Sequence, residues 1–405
     1  MVAVAQKEVA RLAELREVHA AFAWFRSHER ELQDLQLEVT AIAAPPFGEE
    51  RRGQWLAQQF EAVGLSDVHR DEVGNVFGTR AGTGTESKYV AVTAHIDTVF
   101  PPGTPIHVRR EGDKLFGPGI SDNSSGIIAL LALAAAMRDS EIQNHAPVVF
   151  IGNVGEEGEG DLRGYRHIFG QEKWRESISQ VIAIDGAGVD SIVAEALGSR
   201  RFEVTISGPG GHSWSDFGLP NPIVVLGRVI DRFSRTPIPV VPKTTFNVGV
   251  ISGGTSVNSI PQSATMRVDL RSADAREIDR LEQELRSAVE QTVIQAEAES
   301  YSERRVLSYG IQCVGNRPAA DLPLSARLLH VVQAVDAHLN NVAKIHRAST
   351  DANIPLSLGI EAVALGAGGM GGSAHTVQEW YDPRGRDLGL KRNLLATLTL
   401  TGVAE

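Results

Sequence analysis

Apolar positions between residues 50 and 185 switch repeatedly between two spacings. The spacing predicts a helix over Gly53–Val63, strands over Gly74–Arg80 and Tyr89–Ala94, a helix over Ser125–Arg138, and strands over Val148–Asn153 and Val181–Ile184. Helices and strands in alternation predict an α/β layer with a mixed, largely parallel sheet flanked by helices. From about Leu197 to Gly315 the order becomes strand, helix, strand, strand, helix, strand, in the stretches RRFEVTIS, NPIVVLGRVIDRF, TTFNVGVI, SATMRVDLRS, AREIDRLEQELRSAVEQTVIQAEA and RRVLSYGIQC. That order predicts a small split α+β unit of the ferredoxin-like kind, inserted in the chain. A helix over Leu324–His338, a strand over Ala362–Gly366 and a helix over Asp387–Leu400 then resume the first pattern. The expectation is one domain made of residues 1–196 and 316–405, interrupted by a second at 197–315.

The N-terminal stretch QKEVARLAELREVHAAFAWFRSHERELQDLQLEV has helical spacing and charges throughout, so it lacks the apolar block of a secretion signal. The longest uncharged apolar run, Gly126–Met137, is too short to cross a bilayer, and a cytoplasmic enzyme is the expectation. A chain of 405 residues, 42% of them hydrophobic, exceeds the usual single core and can fill two. Lys and Arg total 39 against 50 Asp and Glu, and the net charge of -11 repels phosphate backbones and anionic lipid, which excludes nucleic acid and membrane surfaces as expected partners. Cys313, the single cysteine, cannot form an internal disulfide and is expected to be buried.

Residues able to bind metal collect where elements end. KYVAVTAHIDTVFP runs through a strand into His95 and Asp97, PVVFIGNVGEE delivers Glu156 and Glu157, and QVIAIDG delivers Asp185. The carboxyl ends of strands line the binding crevice of open α/β sheets, so these side chains aim at one place. Asp122, in GPGISDNSSG, precedes a predicted helix, and His375, in GAGGMGGSAHTVQEW, follows a strand through a glycine-rich loop. Imidazoles and carboxylates without a thiolate suit zinc, with cobalt and manganese as rivals, and a carboxylate bridging two ions is a standard arrangement for hydrolysis at a carbonyl. His95 and Asp97 share one face of an extended segment, which lets the acid hold the second imidazole nitrogen. A calcium loop at GEEGEGD would leave the histidines unexplained. A phosphate-cradling protein is disfavoured, because GPGGHSW lacks the Lys and Ser/Thr of such a loop.

AHIDTVFP, GPGISDNSSG, GNVGEEGEGDLRG, AIDGAG, GPGGHSW, GGTSVNSIPQSATMRVDLRS and STDANIPLSLGIEAVALGAGGMGGSAHTVQEW, in this order, resemble the two-zinc exopeptidase and deacylase family. Peptidase T, carboxypeptidase G, acetylornithine deacetylase, succinyl-diaminopimelate desuccinylase and aminoacylase belong to that family, and the look is closest to peptidase T. The resemblance implies a catalytic domain with an inserted lid and dimerisation domain, two zinc ions, and a homodimer. It implies that His95 and Asp185 hold one ion, Glu157 and His375 the other, and that Asp122 bridges them through a residue followed by a cis peptide bond. Glu156 becomes the general base and Asp97 the acid behind the ligands. His212 becomes the oxyanion-stabilising group supplied by the neighbouring subunit, and Asn258 and Arg271 contact substrate. Aspartate at position 185 tilts the reading toward di- or tripeptides over N-acyl amino acids, with a carboxypeptidase as another alternative. A non-catalytic member of the fold would have lost ligands, whereas this chain retains them all.

Overall fold

The strands Val148–Asn153 and Tyr89–His95 are mostly apolar, and both are buried on their two faces, as the centre of a covered parallel sheet requires. The computed structural model describes residues 2–301 and 306–404 and divides into two units, Met1–Ala196 with Asp321–Glu405, and Leu197–Ala320. In the first unit the strands lie in the order Ser66–Arg70, Val76–Arg80, Val148–Asn153, Tyr89–His95, Ile178–Ile184, Glu361–Leu365, Ser191–Ala196. From Val148–Asn153 through Glu361–Leu365 they run parallel. Antiparallel pairing is found at the margins, and Lys344–Ala348 adds a parallel neighbour to Ser191–Ala196. The sheet is mixed with a parallel centre. Parallel register sets His95 beside Asn153 and Leu365 beside Ile184, so the carboxyl ends of four strands finish level with one another.

Ser124–Asp139 is apolar all round and buried from Ser124 to Met137, the pattern of a helix enclosed on every side. It packs against the N-terminal helices Arg16–Ser27 and Glu29–Thr40 and the last helix, Arg386–Thr401. The helices of the sequence reading occur at Glu50–Ala62, Arg327–His338 and Arg386–Thr401, within three residues of their predicted starts. Ser66–Arg70, Ser191–Ala196 and Lys344–Ala348 were not predicted as strands, nor was a small sheet of Arg109–Glu111, Lys114–Phe116, Met370–Gly372 and Trp380–Asp382. Marginal strands such as SDVHR and KIHRA are too polar, and three-residue strands too short, to show a period. No helix among the described residues is long and apolar enough to cross a membrane.

The second unit has an antiparallel sheet in the order Thr244–Gly253, Ser263–Ser272, Gly198–Ser207, Ser308–Arg317. Helices Pro222–Ser234 and Ala275–Ala298 cover one face, enclosing Phe202, Val204, Leu226, Val229, Leu281 and Leu285. This is the ferredoxin-like arrangement. Arg304 and Arg305, which open the last predicted strand, lie outside the described residues. The expectation that Cys313 is buried is wrong: its thiol is exposed. Its strand stands at the sheet's margin, and the register slips between Cys313 and Gly315, where the side chain has no neighbouring strand to cover it.

Candidate metal centre

The carboxyl ends of the central strands, with two loops, bring five of the sequence-derived residues into two clusters. His95, Asp122 and Asp185 form one, and Asp122, Glu157 and His375 the other, with the candidate ligand atoms in each within 4.8 Å of one another. Asp122 belongs to both and divides its oxygens between them. Its Oδ1 is 3.1 Å from His95 Nε2, and its Oδ2 is 3.2 Å from His375 Nε2. Asp185 Oδ1 lies 3.7 Å from His95 Nε2, and Glu157 Oε1 3.2 Å from His375 Nε2.

Several local devices hold these side chains. The Asp122–Asn123 peptide bond is cis. Asn123 caps the helix Ser124–Asp139, its Oδ1 accepting from the N–H groups of Gly126 and Gly186 at 3.1 Å while its Nδ2 donates to the Ile184 carbonyl at 2.8 Å. That one amide ties the loop carrying Asp122 to the loop carrying Asp185. Gly155, at φ +68°, supplies the left-handed turn between the strand Val148–Asn153 and the glutamate pair. Asp97 plays a wider part than its spacing predicts. Its carboxylate accepts from the backbone N–H groups of Glu156 and Glu157, at 3.0 and 2.8 Å. At His95 Nδ1, by contrast, the Asp97 carbonyl oxygen is nearer, at 3.2 Å, than the carboxylate, at 3.7 Å.

Two buried acids escaped the sequence reading. Glu379 accepts backbone N–H bonds from Gly119, Ser121 and Asp122 at 2.8 to 2.9 Å, bracing the loop that presents the shared aspartate. Burial pushes its carboxyl up to about 7, against the pull of those N–H groups. Asp351 accepts from Asn153 Nδ2 at 2.7 Å, at the end of a central strand. Both acids lie in the stretch STDANIPLSLGIEAVALGAGGMGGSAHTVQEW, but no spacing pattern links Glu379 to the loop about 260 positions away or Asp351 to Asn153.

Charge within the clusters is strongly coupled. Burial pushes Glu157 up to about 8, helped by the neighbouring Glu156 and Asp122. The hydrogen bond to Asp122 pulls His375 up to about 9. Burial opposes the charged form of His95, yet its bonds to Asp122, Asp185 and Asp97 hold it well above the ordinary imidazole. Burial likewise opposes ionised Asp122, and the two imidazoles prevail, holding it below the usual carboxylate range. Acids packed this closely favour positive charge among them, here supplied by the two imidazoles of raised pKa. Divalent ions meet the same demand, and the donor set of imidazole nitrogen and carboxylate oxygen without thiolate is one they accept. Glu156, buried beside Glu157, is a further acid outside both clusters.

Of the residues expected in the second unit, two come together. His212 pairs in register with Ser259, and Ser213 N donates to the Asn258 carbonyl at 3.0 Å, so His212, at the end of a two-residue strand, is brought beside the turn that carries Asn258. Arg271 stands near the other end of the strand Ser263–Ser272, roughly 25 Å along it. It is held there by Asp269, at 2.6 Å.

Two candidate ion sites that share one carboxylate, with a further buried acid beside them, form an arrangement suited to metal-assisted hydrolysis. Residues 91–398 match peptidase family M20/M25/M40, and the chain belongs to that family of metal-dependent hydrolases of amide bonds. It is 28% identical over 252 residues, 60% of this chain and 69% of the other, to a Mycobacterium tuberculosis protein named as a succinyl-diaminopimelate desuccinylase. Its fold is that of a tripeptidase from Staphylococcus aureus, with TM-score 0.73, 22% identity, and 92% of this chain and 98% of that one covered. A dinuclear metal-binding peptidase from Bacillus subtilis gives TM-score 0.68 at 14% identity, over 94% of this chain and 100% of that one.

Proposed function

We propose that this chain is a zinc-dependent exopeptidase of di- or tripeptides, resembling peptidase T, with Glu156 as its general base. The observation that carries the reading is the pair of clusters sharing Asp122 beside the buried Glu156. His95, Asp122 and Asp185 would hold one ion, and Asp122, Glu157 and His375 the other, with cobalt or manganese as alternatives to zinc. When bound, the ions supply polarisation of the scissile carbonyl and a water of lowered pKa. Glu156 removes the proton of the attacking water and returns it to the leaving amine, work that contributes about 10²–10⁴-fold. Asp97 aims both glutamates through their backbone N–H groups. We infer that His212 supports the developing oxyanion in a second copy of the chain, with Asn258 contacting substrate. The exposed Trp214 and Phe217 beside His212 favour such a partner surface, and sedimentation showing only monomer under assay conditions would remove this part.

Aspartate at position 185 supports peptides as substrates. The 28% identity to the desuccinylase-named protein supports the second reading, cleavage of N-acyl amino acids. Turnover of di- and tripeptides against N-acetyl and N-succinyl amino acids decides between them, and activity confined to the acylated compounds would overturn the first. Glu156→Gln is expected to retain two metal equivalents and lose about 10²–10⁴-fold in kcat; undiminished turnover would remove the base assignment.

A further inference from the structure

We propose that Asp351 is a positioning residue, kept as a neutral carboxylic acid that closes a two-bond acid–amide pair with Asn153 and thereby fixes the chain segment leading to Glu156. Asn153 is the last residue of its strand, pairs in register with His95, and accepts the Ile96 N–H through its carbonyl at 2.8 Å. The side chains of Asn153 and Asp351 are enclosed, at 0% and 3% exposure. Asn153 Nδ2 donates to Asp351 Oδ2 at 2.7 Å. The amide oxygen of Asn153, Oδ1, and the second carboxyl oxygen of Asp351, Oδ1, are both buried and have no hydrogen-bond partner.

An ionised Asp351 would leave two buried acceptors on these paired groups without a donor, one of them carrying charge, which proteins rarely tolerate. One proton on Asp351 Oδ1 removes both defects. The acid gains an O–H donor, and the amide oxygen is the acceptor on the group it already faces. On balance the surroundings favour that proton: burial is the strongest influence and the charges of Glu156 and Asp185 act with it, against His95 and the bond from Asn153, which favour the anion. Tyr165, bonded to Thr93 at 2.5 Å, is neutral at ordinary pH, its hydroxyl pushed well above its usual range by burial. The neutral pair secures the chain three residues before Glu156, and Asp97 secures the backbone of Glu156 itself. The functional part of this proposal rests on Glu156 as the base; the protonation state of Asp351 does not.

The test uses the full-length, metal-loaded protein at neutral pH. Infrared difference spectra between wild type and Asp351→Asn should show loss of one protonated-carboxyl carbonyl band. Asp351→Ala should lower kcat about tenfold or more with KM little changed, and Asp351→Asn, whose amide offers both a donor and an acceptor, should recover most of that loss. A carboxylate band in place of the acid band, or an Asn variant as impaired as the Ala variant, would overturn the proposal. Should Asp351→Asn fail to fold, wild type labelled with ¹³C at the aspartate carboxyls answers the same question: an isotope-shifted acid band supports the neutral pair, and its absence overturns it. Because this band reports on Asp351 whatever Glu156 does, the two assignments can fail separately.

Discussion

Single carboxylates around this candidate centre position it by accepting backbone N–H groups. Glu379 is the clearest case, since its two oxygens serve three N–H groups of the loop bearing Asp122. Glu379→Ala would leave those donors unserved and free the loop. Metal affinity should fall about 10–100-fold, measured by competition with a chelator, and affinity equal to wild type would show that the loop holds itself. His95, Asp122, Glu157, Asp185 and His375 were legible as candidates because each lies at the end of a recognisable element or in a glycine-rich loop, whereas the division of labour between Glu156 and Glu157 came from the family resemblance and not from local pattern. Glu379 and Asn123 were not legible, because what they do is satisfy backbone groups whose positions exist only after folding. Asp97 was half legible: its spacing from His95 is local, whereas its grip on Glu156 and Glu157 spans two strands.

At the scale of elements, the close fit of the helix Ser124–Asp139 against the sheet does the placing. Gly126 sits in its first turn, and a Cβ there would run into the Asn123 side chain and the Ile184 carbonyl. Gly126→Ala therefore displaces the amide that joins the Asp122 and Asp185 loops. The expected cost is about 1–3 kcal/mol in thermal or denaturant unfolding, and, on the proposed ligand set, weaker retention of an ion held by His95 and Asp185; unchanged stability would mean that Asn123 can move freely. Long apolar elements such as this helix and the strand Val148–Asn153 were readable because burial on every side leaves a continuous apolar run. Marginal strands were not, since one of their sides meets solvent and tolerates His, Arg and Asp.

The first unit is assembled from two stretches of chain separated by the whole of the second. Arg392 of the last helix joins them, donating to Asp336 at 2.7 and 2.8 Å and to the Ser191 carbonyl at 3.1 Å. At the break itself, Leu322 N donates to the Ala194 carbonyl at 2.8 Å, so the two ends are neighbours without the insertion. Replacing Leu197–Ala320 with a short glycine-serine linker should leave a cooperatively folding protein that still binds two metal equivalents, as calorimetry and metal analysis would report. Loss of cooperative unfolding would show that the insertion is needed for the fold. The second unit, for its part, carries the chain's single thiol, exposed on a marginal strand. The native sequence thus already contains one accessible point for attaching a fluorophore or spin label, and signals from it would report on the inserted unit without any residue of the metal centre being altered.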